Sequence, residues 1–202
     1  MPNRLHQLHL RQRVPVRPRQ PPPITNPPGP IQWRLLQRLA QCRGDLSPAN
    51  CSDCLSRSVT EIIARCPWRK QAVLRFDGCL MRYSDKRFFS TLSTDGSQML
   101  YNVNNASDQK LLNRQLGRLL NGLSTNASLD SSRFAEGEIN YTTDVGKLYG
   151  LVQCTKDLSE GDCLSCLTQS IADLPGCCSG KIGARVISLS CYLRESSQMG
   201  GK

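Results

Sequence analysis

Leucines at 111, 112, 116, 119, 120 and 123 fall on one stripe of a helical period and predict a helix over Asp108–Leu123, with Ser107 or Asp108 as N-cap. Ser47-Pro48 opens a second apolar-periodic run that ends near Arg65; the serine suits the cap and the proline the first turn. A third run of the same form extends from Ser159 to about Asp173. Short runs at Ala72–Phe76, Leu80–Tyr83, Leu148–Cys154, Gly183–Leu189 and Tyr192–Glu195 read as strands. Helices lying on a short antiparallel sheet give an α+β fold class. Thr91–Gln98, polar and containing Gly96, reads as an interdomain linker.

The cysteines repeat. Adding 112 to Cys42, Cys51, Cys54, Cys66 and Cys79 gives Cys154, Cys163, Cys166, Cys178 and Cys191. The flanks follow the same offset: Leu39-Ala40-Gln41 against Leu151-Val152-Gln153, Asp45-Leu46-Ser47 against Asp157-Leu158-Ser159, Leu55 against Leu167, Arg82 against Arg194. Chance does not align five cysteines and their neighbours, so the chain is a tandem duplication. Above about Leu39 the match stops, because copy two has residues 99–150 where copy one has a proline-rich stretch. The first copy is therefore expected to be N-terminally truncated. The expected organisation is a disordered basic Pro-rich tail over 1–36, a truncated domain over 37–90 and a linker over 91–98. A second domain over 99–196 and a disordered end over 197–202 complete it.

Charge changes this picture little once it is located. The net charge of +10 is dominated by residues 1–44, which hold eight arginines and no acid. The remaining body has 18 basic against 16 acidic residues, too balanced for an evident phosphate-binding face, and no nucleic-acid partner is expected. Both histidines, His6 and His9, lie in the tail, which removes histidine general bases, Ser–His and Cys–His pairs and Cys2His2 zinc from the folded body. The chain is expected not to be an enzyme and to use no cofactor. No apolar stretch reaches the roughly 18 residues of a membrane span. Pro21–Pro23 bars a helix in the tail, and no apolar run follows its basic start as in a secretory signal. A partial or mis-started gene product is the expected explanation, with a transit peptide or a proline-rich ligand as alternatives.

Eleven cysteines in 202 residues admit three chemistries. Zinc would use the C-x2-C pairs with Cys66 and Cys79 as further thiolates. A redox site would place a C-x2-C at a helix N-terminus, where the dipole lowers a thiol pKa. Structural disulfides would tie the helix to the strands on either side of it. The twelve-residue gap after Cys54 and the Ser52-Asp53 and Leu164-Ser165 spacers favour disulfides, and no metal site is expected. The N-x-[ST] triplets at Asn50, Asn105, Asn126 and Asn140 are glycosylation candidates and agree with a secreted chain.

Cys42-x8-Cys51-x2-Cys54, the stretch DGCLMRYSDKRFF (77–89) and KLYGLVQCTKDLSEGDCLSCL (147–167) resemble the plant salt-stress/antifungal, or ginkbilobin-homologous, domain. That domain occurs in secreted cysteine-rich repeat proteins, plasmodesmata-located proteins and the ectodomains of cysteine-rich receptor-like kinases. The resemblance covers about residues 38–195. It implies tandem domains with two helices against a five-stranded antiparallel sheet, stapled by Cys42–Cys51, Cys54–Cys79, Cys154–Cys163 and Cys166–Cys191. Each such closed loop would stabilise by about 2–4 kcal/mol. The resemblance also implies a third bond, from an N-terminal cysteine that neither copy has to the position of Cys66 and Cys178. Cys66, Cys177 and Cys178 are left unassigned, open to a Cys66–Cys178 or a Cys177–Cys178 bond, and an odd total leaves at least one thiol over.

Some family members resemble mannose-binding lectins that hold the sugar with an Asn, an Arg and a Glu. The positions here would be Asn102, Arg185 and Glu195. Glu195 stands one residue early, in Cys191-Tyr192-Leu193-Arg194-Glu195, and on a strand such a slip turns a side chain to the other face. Copy one has Val73 and Ser84 at the matching places, with Arg75 displaced by two. The expected function is a non-enzymatic extracellular, apoplastic recognition module in plant defence or stress response, secreted or derived from a receptor-like kinase ectodomain. Its expected partners are a mannose-type glycan, a cell-surface receptor or another cysteine-rich ectodomain. A mannose-binding antifungal lectin is the first alternative and an intracellular zinc-binding adaptor the second.

Overall fold

The computed structural model describes residues 36–141 and 146–198. They divide into two compact units that part between Ser90 and Thr91. Both are α+β, with helices on antiparallel sheets.

The first unit has strand β1 (Gln37–Cys42), helix α1 (Pro48–Arg65), β2 (Gln71–Arg75) and β3 (Cys79–Ser84), with sheet order β1-β3-β2. Ser47 caps α1, its side-chain oxygen accepting from the Asn50 N–H at 3.3 Å, and Pro48 begins the helix where an N–H has no partner to lose. Arg43 ties the β1–α1 loop together by pairing with Asp45 at 2.6 Å and Asp77 at 3.0 Å. Past β3 the chain folds back, so that the Phe88 N–H donates to Gln37 Oε1 at 2.9 Å and the Arg82 guanidinium lies 4.2 Å from the Phe88 ring centre. Ile62 and Ser58 face inward from α1, while Val59 and Ile63 are 45% and 57% exposed.

The second unit is larger. It adds β4 (Gln98–Tyr101), α2 (Gln109–Leu129), β5 (Phe134–Tyr141), β6 (Gly146–Cys154), α3 (Glu160–Cys178), β7 (Gly183–Ile187) and β8 (Cys191–Gln198), with sheet order β4-β7-β8-β6-β5. Asp108 and Ser159 cap α2 and α3, accepting from the N–H groups of Leu111 at 2.9 Å and Asp162 at 3.1 Å. The leucine stripe of α2 is buried at 112, 116, 119, 120 and 123 and packs on the sheet. It comes close at two glycines paired across β5 and β6, Gly137 and Gly150. A Cβ on Gly150 would sit 2.8 Å from Leu123 Cδ1 and 3.2 Å from both Leu119 Cδ2 and Leu120 Cδ2. The absence of a side chain there lets the helix lie down on the sheet.

Strand pairing carries the duplication into three dimensions. Cys42 opposite Cys79 becomes Cys154 opposite Cys191, and Val73 opposite Arg82 becomes Arg185 opposite Arg194. Thus β1, α1, β2 and β3 correspond to β6, α3, β7 and β8. Among the described residues, α2, β4 and β5 have no counterpart in the first unit. Ile171 of α3, the match of Val59, packs into the core that α2 completes.

The sulfurs sit at equivalent joints. Cys42–Cys51 and Cys154–Cys163 each hold Cα atoms 5.6 Å apart, and Cys54–Cys79 and Cys166–Cys191 each 6.1 Å. Cys177 is bonded to its neighbour Cys178, and Cys66 is the one free cysteine.

Several boundaries differ from those read in the sequence. Strands β1, β4 and β5 carry no strand signal in the sequence; β5 alternates exposed Glu136, Glu138 and Asn140 with inward residues, and β1 mixes Gln37, Arg38 and Gln41 with Leu39 and Ala40, so neither has a continuous apolar run. Helix α2 continues to Leu129, and α3 continues past Asp173 through Pro175 to Cys178. Gln98, assigned to the linker, opens β4, and the Ser93 N–H donates to Ser190 Oγ of the second unit at 2.9 Å. Ser197 and Gln198 are not a loose end but the last residues of β8, paired with Leu148 and Lys147. Strand β7 stops at Ile187 rather than Leu189. The tail over 1–35 lies outside the described residues, as do 142–145 and 199–202.

Two outcomes follow from this architecture. Replacing Cys166 and Cys191 by alanine should lower stability by about 2–5 kcal/mol, measured by denaturant unfolding of the full chain. A fragment of residues 1–90 should melt without a sharp transition, because one helix over three strands leaves Val59 and Ile63 uncovered.

Candidate functional site

Strand parity decides which side chains can meet. On β7 and β8, Ala184, Val186 and Leu193 point into the core, so their neighbours Arg185, Ile187, Tyr192 and Arg194 point to the face of the sheet away from the helices. Arg185 and Arg194 stand directly opposite one another, and Leu100 of β4 is opposite Arg185 on the other side. A shallow cleft of about 100 Å³ forms at this edge, lined by Tyr101, Asn102, Gly183, Arg185, Arg194 and Ser196 among others. Asn102 is held by its backbone, its N–H donating to the Gly183 carbonyl at 2.8 Å, and its Oδ1 accepts from the Asn104 N–H at 3.0 Å. Lys181 adds a further positive charge, with Nζ 5.7 Å from the Tyr101 ring centre and donating to the Val103 carbonyl at 3.2 Å. Hydroxyls, carboxylates or sulfates suit such a cluster of guanidinium, ammonium, amide and aromatic ring.

Glu195 also borders this cleft, but strand parity turns its side chain away from the guanidinium groups. It is the partner of Ala184 across the β7–β8 ladder, so its side chain shares the helix-facing side with Leu193. It is 3% exposed, and its Oε2 has no hydrogen-bond partner. Burial without a compensating charge pushes its carboxyl up from the ordinary 4.5 to about 8. The structure thus brings Asn102 and Arg185 to one cleft and sends Glu195 to the opposite face. Arg194, not foreseen as a site residue, takes the place beside Arg185. Its outward parity can be counted from Cys191, but its pairing with Arg185 depends on a register that one sequence does not contain.

In the first unit the same positions carry other chemistry. Val73 is exposed on β2 opposite Arg82, and Ser84 is buried at the end of β3, where its Oγ accepts from the Lys86 N–H at 3.0 Å. Arg75 lies two residues further along β2, opposite Leu80. Asn50, Asn105, Asn126 and Asn140 are all exposed, on α1, beside Lys181, on α2 and on β5 respectively. Among the described residues no group of three or more His, Cys, Asp or Glu could hold a metal ion, and no helix is long and apolar enough to cross a membrane.

The family model for salt stress response/antifungal proteins matches residues 32–86 and 99–198. The chain belongs to this salt stress response/antifungal family. It is 42% identical over 158 residues to cysteine-rich repeat secretory protein 38 of Arabidopsis thaliana, covering 77% of this chain and 62% of that protein. It is 39% identical to an antimicrobial ginkbilobin-2-like protein of Castanea crenata, covering 77% and 64%. Against cysteine-rich receptor-like protein kinase 25 of Arabidopsis thaliana the identity is 39%, over 76% of this chain and 23% of the kinase. The chain therefore spans less than two thirds of the length of these curated relatives. Among solved structures, the tandem DUF26 ectodomain of the Arabidopsis thaliana cysteine-rich receptor-like protein PDLP8 superposes with a TM-score of 0.68 at 26% identity, covering 81% of this chain and 73% of that one. The PDLP5 ectodomain gives 0.65 at 27% identity, covering 87% and 78%. The relatives and solved structures that share this salt stress response/antifungal fold are plant cysteine-rich secretory and receptor-like proteins.

The position of Glu195 predicts a pH dependence of stability. Its folded pKa lies above its unfolded value, so between about pH 4.5 and 8 the unfolded chain releases a proton that the folded chain keeps. Stability contributed by this group should be complete below pH 4.5, decline by about 1.4 kcal/mol per pH unit at most, and level off above pH 8. Glu195→Gln should flatten that part of the profile, measured as thermal midpoint against pH.

Proposed function

We propose that this chain is a non-enzymatic extracellular recognition module of plant defence or stress signalling, acting as a secreted protein or within a receptor-like kinase ectodomain. The observation that carries this reading is the pairing of ten of its eleven cysteines, on a fold shared with cysteine-rich ectodomains. Disulfides at this density persist in oxidising compartments, and in each unit two of them clamp helix to sheet. Recognition is assigned to the shallow cleft at the β4–β7 edge of the second sheet, lined by Tyr101, Asn102, Arg185 and Arg194. A receptor or another cysteine-rich ectodomain offering carboxylates or glycan hydroxyls fits that cleft.

Protein purified from plant tissue without reductant should have an intact mass about two daltons lower for each of the five bridges than after reduction. Complete alkylation without reductant, or retained zinc, would overturn the extracellular reading in favour of an intracellular adaptor. Calorimetric titration with mannose should give no saturable heat, because the carboxylate of the expected trio faces the core. Saturable binding lost in Arg185→Ala would make the chain a mannose-binding lectin instead.

A further inference from the structure

The repeat offset sets Tyr83 against Glu195 and Cys66 against Cys178. In the first unit the Tyr83 ring is buried, and its hydroxyl donates to the Cys66 carbonyl at 3.5 Å. In the second unit the equivalent inward position of β8 carries a shorter, acidic side chain. Beside it a cleft of about 180 Å³ opens between α2 and α3. Its walls are aliphatic, chiefly Leu116 and Leu120 from α2 with Ile171 and Leu174 from α3. Among the described residues, Glu195 is the one ionisable side chain lining it, and its Oε2 is without a hydrogen-bond partner. At the rim, Asn113 is already engaged, its Nδ2 donating to Ser179 Oγ at 2.9 Å and its Oδ1 accepting from the Gly180 N–H at 3.1 Å. The unmet polar atom therefore belongs to the acid.

We propose that this cleft binds a small phenol, a one-ring, largely apolar molecule with a single hydroxyl, which packs against the leucines and hydrogen-bonds to Glu195. Size supports the class: an apolar cavity of about 150 Å³ takes a benzene ring, and this cleft has room for a ring and its hydroxyl. Polarity supports it too. A buried carboxyl held in its neutral form both donates and accepts, so it satisfies a hydroxyl without needing a counter-ion. A sugar would leave several hydroxyls unpartnered against aliphatic walls, and an anionic ligand would find no positive group among the lining residues. The first unit carries the same chemistry in covalent form, since the Tyr83 side chain is itself a phenol. Because the cleft lies on the helix side of the sheet, this inference is independent of the face that carries Arg185.

The test is a titration of the full chain, bridges intact, with p-cresol, followed by calorimetry and by saturation-transfer NMR of the ligand. Saturable binding with a rise in the melting temperature is expected. Glu195→Tyr, which restores the ring of the first unit, should abolish it. Gly117→Leu should abolish it from the other wall, since Gly117 lines the cleft and an added Cβ there meets no atom within 4 Å. This second variant serves if Glu195→Tyr does not fold. Glu195→Gln keeps the volume but replaces the carboxyl O–H donor by amide N–H donors, and should weaken binding by about three- to tenfold. No saturable binding of p-cresol to the unaltered chain, or binding that persists in folded Glu195→Tyr or in Gly117→Leu, would overturn the proposal.

Discussion

Two sulfur bridges meet where α3 crosses the sheet. Cys163 and Cys166 are three residues apart, one turn along the same face of the helix. Their partners Cys154 and Cys191 are directly opposite each other on β6 and β8. One helical turn is thereby fastened to two neighbouring strands at a single level, and all four residues are almost fully buried. The position of α3 follows from this joint, and α2 then packs between α3 and the glycine pair of β5 and β6. The first unit repeats the joint with Cys42, Cys51, Cys54 and Cys79.

Around an unchanged joint the two repeats have diverged according to strand parity. An outward position is Val73 in one copy and Arg185 in the other, which gives different surfaces. An inward position is Tyr83 in one copy and Glu195 in the other, which gives different interiors. The helix face that α2 covers in the second unit is represented in the first by exposed Val59 and Ile63. Identical sulfur spacing therefore coexists with different surfaces and different cores.

The helices were legible because their signals are local: Ser47-Pro48, Asp108 and Ser159 cap where their side chains say they should. The duplication was legible because cysteine spacing survives divergence. Strand β5 was not, since as an edge strand it exposes Glu136, Glu138 and Asn140 and buries only its alternate residues. Strand β1 was hidden for a similar reason. The end of α3 was obscured by Pro175-Gly176, a pair that ordinarily stops a helix, yet the ladder continues to Cys178. For the site, a count from Cys191 places Glu195 out of phase, but the Arg185–Arg194 pairing and the cleft beside Glu195 arise from contacts between distant segments.

An unpaired acid inside a domain of about one hundred residues is an expensive thing to keep, and so is an aliphatic helix face left open to water. Covalent cross-links make both survivable, because they restrict the disordered chain whatever occupies the core. A scaffold held in this way can accept mutations that would unfold an unlinked relative of the same size. The cystine joint thus confers mutational latitude, and duplicated copies can acquire separate binding chemistries while their backbones stay alike.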